Sequence, residues 1–367
     1  MIPNILVFGS TGKLGSKILR YSHKNKIKIN SICCFKNKKK IISQSSKYKI
    51  KNKFILSNPK HKHELLKYIT SNKINIIYFL DYGSSSLEYL DIILTKNSFS
   101  HIAIANKEMI IAGGNYLIKK FKKSNNFLVP LDSEHFSLIN SNHNPKDINR
   151  VYITASGGPF YFKKKINLNK VKIKDVLSHP KWIMGTNNLI DSSNFLNKIL
   201  EIFELSIIYQ IPISKIDFLI SQEAYAHSII LYNDSTTIVN CFENDMLITL
   251  IKPLSYFYKL DSIINKKKFL DSKNFTFSIP FDKRFELLKN ITFFKNLNHH
   301  QQIVLMISNN IAQELYMKGK IKYIEIIKLV IKEISCRKND KINLSSINAI
   351  LSFIKNINNE IRKKYKL

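Results

Sequence analysis

From residue 5 to about 156 this chain alternates short β-branched runs with amphipathic stretches, and nothing else limits its fold as strongly. ILVF (5–8), INSICCF (29–35), INIIYFL (74–80), HIAIA (101–105), FLVPL (127–131) and RVYITA (150–155) read as strands. Between them KLGSKILRYSHKN, HKHELLKYITSN, SLEYLDIILTKN and the stretch after Asn106 carry apolar residues at helical spacing. Such an order predicts an α/β fold: a mainly parallel sheet with helices on both faces and ligands at the carboxyl ends of the strands.

Beyond that frame the pattern changes. Residues 132–257 hold polar loops, a helix around 193–209, and strand-like SIILYN (228–233) and TTIVNCF (236–242). Residues 260–284 read as a connecting segment, and the chain is helical from about 285. In its last helix Ile347, Ile350, Leu351, Ile354, Ile357 and Ile361 form one apolar stripe, the core of a small bundle with a solvated basic face opposite.

A length of 367 residues suits two or three domains. The 58 Lys+Arg against 26 Asp+Glu raise the question of a nucleic-acid partner. Only five of those cations are arginine, and the lysines are spread over every segment in a chain rich in Asn, Ile, Phe and Tyr. Groove and phosphate readers concentrate charge and favour Arg. The surplus therefore reads as codon composition, with no specific nucleic-acid partner expected. No apolar run reaches the roughly 18 residues of a membrane helix, so no membrane partner is expected. MIPNILVFGS reads as a first strand entering a turn rather than as a leader. Cys33, Cys34, Cys241 and Cys336 make neither a CxxC pair nor a disulfide framework, which fits a reducing cytoplasm.

Three motifs carry chemistry. GSTGKLG (9–15) follows the first strand and opens a helix; its glycines suit a tight turn against a pyrophosphate, or a plain strand–helix turn. The second strand runs into CCFKNKKK, with no acid to take a ribose 2′-hydroxyl and lysines from Lys36 onward, which favours NADPH over NADH. In LVPLDSEH (128–135), Asp132 and Glu134 of an extended segment would project to one side and share Mg²⁺ or Mn²⁺; the alternative is an Asp helix cap with a first-turn Glu. In HPKWIMGTNNLIDSSNFLNKILE (179–201), Asn197 and Glu201 are i,i+4 neighbours beside Lys198. There Ser192, Asn197 and Lys198 suit a phosphate and Glu201 a third metal carboxylate, and Ser156 in ASGGPF (155–160) adds a further phosphate contact.

With ANKE (105–108), these motifs occur in the order and spacing of the 1-deoxy-D-xylulose 5-phosphate reductoisomerase family, which the chain resembles strongly from residue 5 to about 202. The resemblance is fainter to the end, through AHS (226–228), NDM (244–246) and FTFSIPFDKR (275–284). It implies a Rossmann-like NADP-binding domain (1–131), an α+β catalytic and dimerisation domain with a mobile loop (132–257), a linker (258–284), and a C-terminal helical bundle (285–367). It implies NADPH contacts at Thr11, Gly12, Lys13, Leu14, Lys36, Asn37 and Asn106, with Glu108 and Gly185 nearby. Asp132, Glu134 and Glu201 would hold the metal; Lys107, Ser133, Ser156, His179, Ser192, Asn197 and Lys198, with Glu134 and Glu201, would hold the substrate. Lys107, Asp132, Glu134 and Glu201 are the implied catalytic set. The implied reaction rearranges the ketose phosphate and reduces it to 2-C-methyl-D-erythritol 4-phosphate, in a cytoplasmic homodimer.

Several positions depart from the family pattern. Lys13 replaces a small polar residue, Phe35 and Ile199 replace glycines, SQEAYAHS (221–228) lacks a His-Pro, and Leu247 stands where an arginine is expected. TNNL (186–189) lacks the usual basic residue, so the loop around 182–190 with Trp182, the only tryptophan, is expected to close as a weakened lid. All implied metal carboxylates are present, which favours an active enzyme over an impaired relative kept as a binding or structural protein.

Overall fold

The computed structural model describes residues 2–96, 99–141, 144–178, 185–261, 274–337 and 342–367. They fall into two compact units: Met1–Met109 with Asn115–Ile139 and Asp245–Asp271, and Ile110–Gly114 with Asn140–Asn244 and Ser272–Leu367.

The first unit is built on a six-stranded sheet. Its strands are β1 (Ile5–Phe8), β2 (Ser31–Cys34), β3 (Asn52–Ile55), β4 (Ile76–Phe79), β5 (His101–Ile104) and β6 (Phe127–Pro130), in the order β3-β2-β1-β4-β5-β6. Every pairing is parallel, for instance Leu6 with Ser31 and with Ile77. β1, β2, β4 and β5 are buried at every residue, as expected of strands covered on both faces, and so they read as continuous apolar runs. Ile5, Val7, Ile18, Ile32, Ile76 and Tyr78 centre the core, and Leu250 and Leu254 of the helix Met246–Ser255 join it. The Tyr78 hydroxyl, deep in that core, donates to the Leu250 carbonyl at 2.8 Å. The strand order reverses between β1 and β4, the place where such sheets bind ligands.

Two elements of this unit go beyond the sequence expectation. The helix Lys38–Lys47 occupies much of the lysine run, and β3 adds a strand at the sheet edge. Both have thin apolar signals: the helix buries only Ile41, Gln44 and Ser45, and β3 only Phe54 and Ile55.

The second unit has a four-stranded sheet of β7 (Ile148–Ala155), β8 (Ile216–Ile220), β9 (Ala226–Tyr232) and β10 (Thr237–Cys241), ordered β10-β9-β7-β8. β8 lies parallel to β7, while β9 runs antiparallel to β7 and β10. β8 was not expected from its five residues alone; alternate burial of Ile216, Phe218 and Ile220 fixes it beside β7. The helices His299–Met317, Glu325–Ser335 and Ile347–Lys364 complete the unit. In the last of these the buried face is Ile350, Phe353, Ile357 and Ile361, with Ile347, Leu351 and Ile354 half-buried on its flanks. The stripe is therefore rotated towards Phe353 relative to the all-aliphatic reading.

Candidate active site

Glycine is required in the first turn after β1. Gly9 has φ +72°, and a Cβ built there would lie 2.5 Å from the Asp81 backbone nitrogen; one on Gly15 would lie 2.4 Å from the Gly9 carbonyl. The helix Lys13–Lys24 then begins with Gly12 as its cap and no side-chain cap bond, the kind of helix start that takes an anion. Thr11, Gly12, Lys13 and Leu14 all lie in this turn and first helical residues. Gln44 ties it to the neighbouring helix by donating to the Ser10 carbonyl at 2.8 Å. Lys36 lies exposed just past β2, and Asn37 caps the helix Lys38–Lys47 by accepting from the Lys40 N–H. The geometry is a cradle that a Cβ would fill, open to a phosphate and bordered by a lysine, and it fits a dinucleotide.

The carboxyl ends of β4, β5 and β6 carry the polar groups of the same unit. After β4, burial pushes the Asp81 carboxyl up to about 6, against the Ser86 hydroxyl that bonds it. After β5, buried Asn106 caps the helix Lys107–Lys123, accepting from the Met109 N–H at 3.0 Å and donating to the Gly83 carbonyl at 2.7 Å. Burial also raises the Glu108 carboxyl, partly offset by Lys107. After β6, Asp132 is the cap of the short helix Ser133–Ser137 and accepts from the Glu134 N–H. Here the expectation of an extended 132–134 segment is corrected, and the capping alternative is what the chain adopts. The Ser133 hydroxyl bonds the Glu134 carboxylate, and Lys107 is ion-paired with Asp132. Burial works to raise the Asp132 carboxyl, but Lys107 and the His135 ring outweigh it and hold it far below the ordinary range. Asp132 is thus ionised, as a metal ligand must be.

The second unit assembles the other set. β7 ends at Ala155, and Ser156 enters a turn with Gly157 at φ +85° and Gly158 at φ +60°. A Cβ on Gly158 would lie 2.8 Å from the Ser192 carbonyl, so only glycine lets the Ser156 turn pack against Ser192. The helix Thr186–Ser193, capped by Gly185, carries Ser192, and the helix Leu196–Tyr209 carries Asn197, Lys198 and Glu201. Asn197 and Lys198 both bind the Glu201 carboxylate, one by hydrogen bond and one by ion pair, so the anticipated face exists and is already knit together. The segment from Thr186 is helical where a loop was expected, because Ile190 and Asp191 are buried and anchor it.

His179 and Trp182 lie outside the described residues, as do residues 182–184 of the expected lid. Three contributors escaped the sequence reading. His135 is fully buried, with Nδ1 3.8 Å from an Asp132 oxygen. Asp191 is buried and accepts from Asn309 at 2.8 Å and Gln313 at 2.6 Å, fixing the helix that holds Ser192. Asp81 follows the fourth strand, and no motif marks it. His135 was visible inside the DSEH string; the partners of Asp191 lie more than a hundred residues away, and no local signal marks them.

Comparison with known proteins places this arrangement. Residues 128–209 match the model of the 1-deoxy-D-xylulose 5-phosphate reductoisomerase C-terminal domain, and residues 243–362 that of the DXP reductoisomerase C-terminal domain. A Pelagibacter ubique 1-deoxy-D-xylulose 5-phosphate reductoisomerase is 32% identical over 90% of this chain and 90% of its own length. A Clostridium novyi enzyme of the same name is 29% identical over 99% of this chain and all of its own length. A crystal structure of DOX-P reductoisomerase in complex with NADPH, fosmidomycin and magnesium shares the fold, with a TM-score of 0.85, 21% identity, and coverage of 100% of this chain and 98% of that one. The Zymomonas mobilis enzyme in complex with NADPH superposes with a TM-score of 0.82 at 21% identity, over 98% of each chain. The chain belongs to the 1-deoxy-D-xylulose 5-phosphate reductoisomerase family.

Proposed function

We propose that this chain converts 1-deoxy-D-xylulose 5-phosphate to 2-C-methyl-D-erythritol 4-phosphate, with NADPH as the reductant and a divalent cation, Mg²⁺ or Mn²⁺, as the second cofactor. The observation that carries this reading is the half-buried Asp132 carboxylate, ion-paired with buried Lys107 and capping the helix that supplies Glu134. In this reading Asp132, Glu134 and Glu201 hold the cation; hard carboxylate oxygens are the donor chemistry that Mg²⁺ and Mn²⁺ take. When bound, the cation polarises the substrate carbonyl and neighbouring hydroxyl as a Lewis acid. Lys107 keeps Asp132 ionised and presents a cation to the substrate. Ser133, Ser156, His179, Ser192, Asn197 and Lys198 orient it, with the phosphate taken by the Ser156 turn, Ser192, Asn197 and Lys198.

The Gly9–Gly15 turn would hold NADPH, and Lys36 and Asn37 would take its 2′-phosphate. Asn106 would contact the cofactor, with Glu108 and Gly185 nearby. Residues 1–131 thus serve the cofactor, 132–257 the metal and substrate, and 285–367 a supporting bundle. Family membership also supports a homodimer, and the exposed apolar residues Ile238 and Val239 on the edge strand β10, with Ile279 and Phe281, suit contact with a second copy. Among the described residues no helix is long and apolar enough to cross a membrane. All four cysteines are free, which suits a reducing, cytoplasmic setting.

The deciding test is NADPH oxidation with 1-deoxy-D-xylulose 5-phosphate, with and without Mn²⁺. Turnover that requires both substrate and metal supports the proposal. Tight NADPH binding without turnover in any metal would favour the impaired relative instead.

A further inference from the structure

Asp81 has no assigned role in the readings above, yet it stands at the carboxyl end of β4, on the side of the order reversal away from Lys36. Its backbone abuts the glycine turn: the absent Cβ of Gly9 would sit 2.5 Å from the Asp81 nitrogen. One carboxylate oxygen, Oδ2, accepts from the Ser86 hydroxyl at 2.5 Å. The other, Oδ1, is shielded from solvent and accepts no hydrogen bond of ordinary geometry among the described residues, although the Asn106 side chain and the Asp81 N–H also favour the charged carboxylate. A buried acceptor left without a donor costs free energy, and a donor supplied on ligand binding removes that cost. Two residues on, Gly83 has φ +82° and open space where a side chain would be, while its carbonyl is pinned by Asn106. The turn is therefore anchored at one end and clear of side chains at the other.

The chemistry restricts what can dock there. A carboxylate repels phosphate oxygens, so the pyrophosphate belongs at the uncapped helix start beside Gly12, and the group meeting Asp81 must bring a donor. In a sheet of this order the adenine half lies over β1 to β3 and the nicotinamide half over β4 to β6. We propose that Asp81 Oδ1 accepts a hydrogen bond from a ribose hydroxyl of the nicotinamide half of the cofactor, making Asp81 a cofactor-binding residue of this chain; the assignment rests on the NADPH reading above.

The test measures equilibrium binding of NADPH and of adenosine 2′,5′-bisphosphate, which carries the adenine half alone, to the wild-type chain, Asp81→Val and Asp81→Asn. Asp81→Val should weaken NADPH at least about tenfold, as loss of a hydrogen bond to a charged group does, while the bisphosphate changes by less than about twofold. Asp81→Asn keeps a carbonyl oxygen and should fall between wild type and Asp81→Val, which preserves the readout if the valine variant does not fold. Unchanged NADPH affinity in the variants overturns the assignment, and so does an equal loss for both ligands. A wild-type chain that binds the bisphosphate but not NADPH overturns it as well. One that binds neither removes the cofactor reading itself.

Discussion

Lys107 and Asp132 show how much a single pair decides at the residue scale. Lys107 is nine-tenths buried and pairs its charge with the carboxylate, which holds Asp132 below the ordinary carboxylate range and favours the charged form that a cation needs. Asp132→Asn, Glu134→Gln and Glu201→Gln should each abolish metal-dependent turnover while NADPH binding stays within about twofold, since the glycine turn is untouched. Calorimetric titration of NADPH beside the kinetic assay checks both halves. Lys36→Glu should cost NADPH affinity by about 1.5–3 kcal/mol and leave NADH unaffected, and the ratio of kcat/KM for the two cofactors reads it. Asp81 predicts a pH effect of opposite sign to a salt-bridged carboxylate. Its folded pKa is raised to about 6, so wild type loses stability as pH climbs from the unfolded value of about 4 through 6, by on the order of 2–3 kcal/mol at most. Asp81→Asn without cofactor should therefore be the more stable protein at pH 7.5 and equal to wild type near pH 4, as followed by denaturant midpoints.

At the scale of elements, helix starts and glycine turns aim these groups. The helices beginning at Lys13, Lys107 and Ser133 start where β1, β5 and β6 end, so one sheet edge collects a phosphate cradle, a lysine and two carboxylates. In the second unit the Ser156 turn seats against the Ser192 carbonyl only because Gly158 lacks a side chain. Gly158→Ala meets both a left-handed backbone and that carbonyl at 2.8 Å. It should lower stability by about 1–3 kcal/mol and raise KM for the sugar phosphate more than it lowers kcat, with KM for NADPH unchanged. Steady-state kinetics in each substrate separate these outcomes.

For the whole molecule, the exposed β10 edge leads to one further expectation: Ile238→Lys with Val239→Glu should shift a dimer towards monomer in light scattering while leaving far-UV circular dichroism intact. The sequence by itself determined five of the six strands of the parallel sheet, because buried parallel strands are written as apolar runs and their helices as amphipathic ones; it missed β3, and RVYITA, expected in the same sheet, forms β7 of the second, mixed sheet. It also determined the glycine turn, the lysine past β2, and the Asn197–Glu201 face, since turn chemistry and i,i+4 spacing are local properties. The sequence offered Asp132 both as a strand residue and as a helix cap, and only the tertiary structure decided its partner, because Lys107 reaches it from an element 25 positions earlier. Only the fold gives Asp191 its amide partners, and only the fold brings Asp81 against Gly9. Those contacts join distant stretches of chain, and their energies depend on burial, a quantity that no local pattern of residues contains.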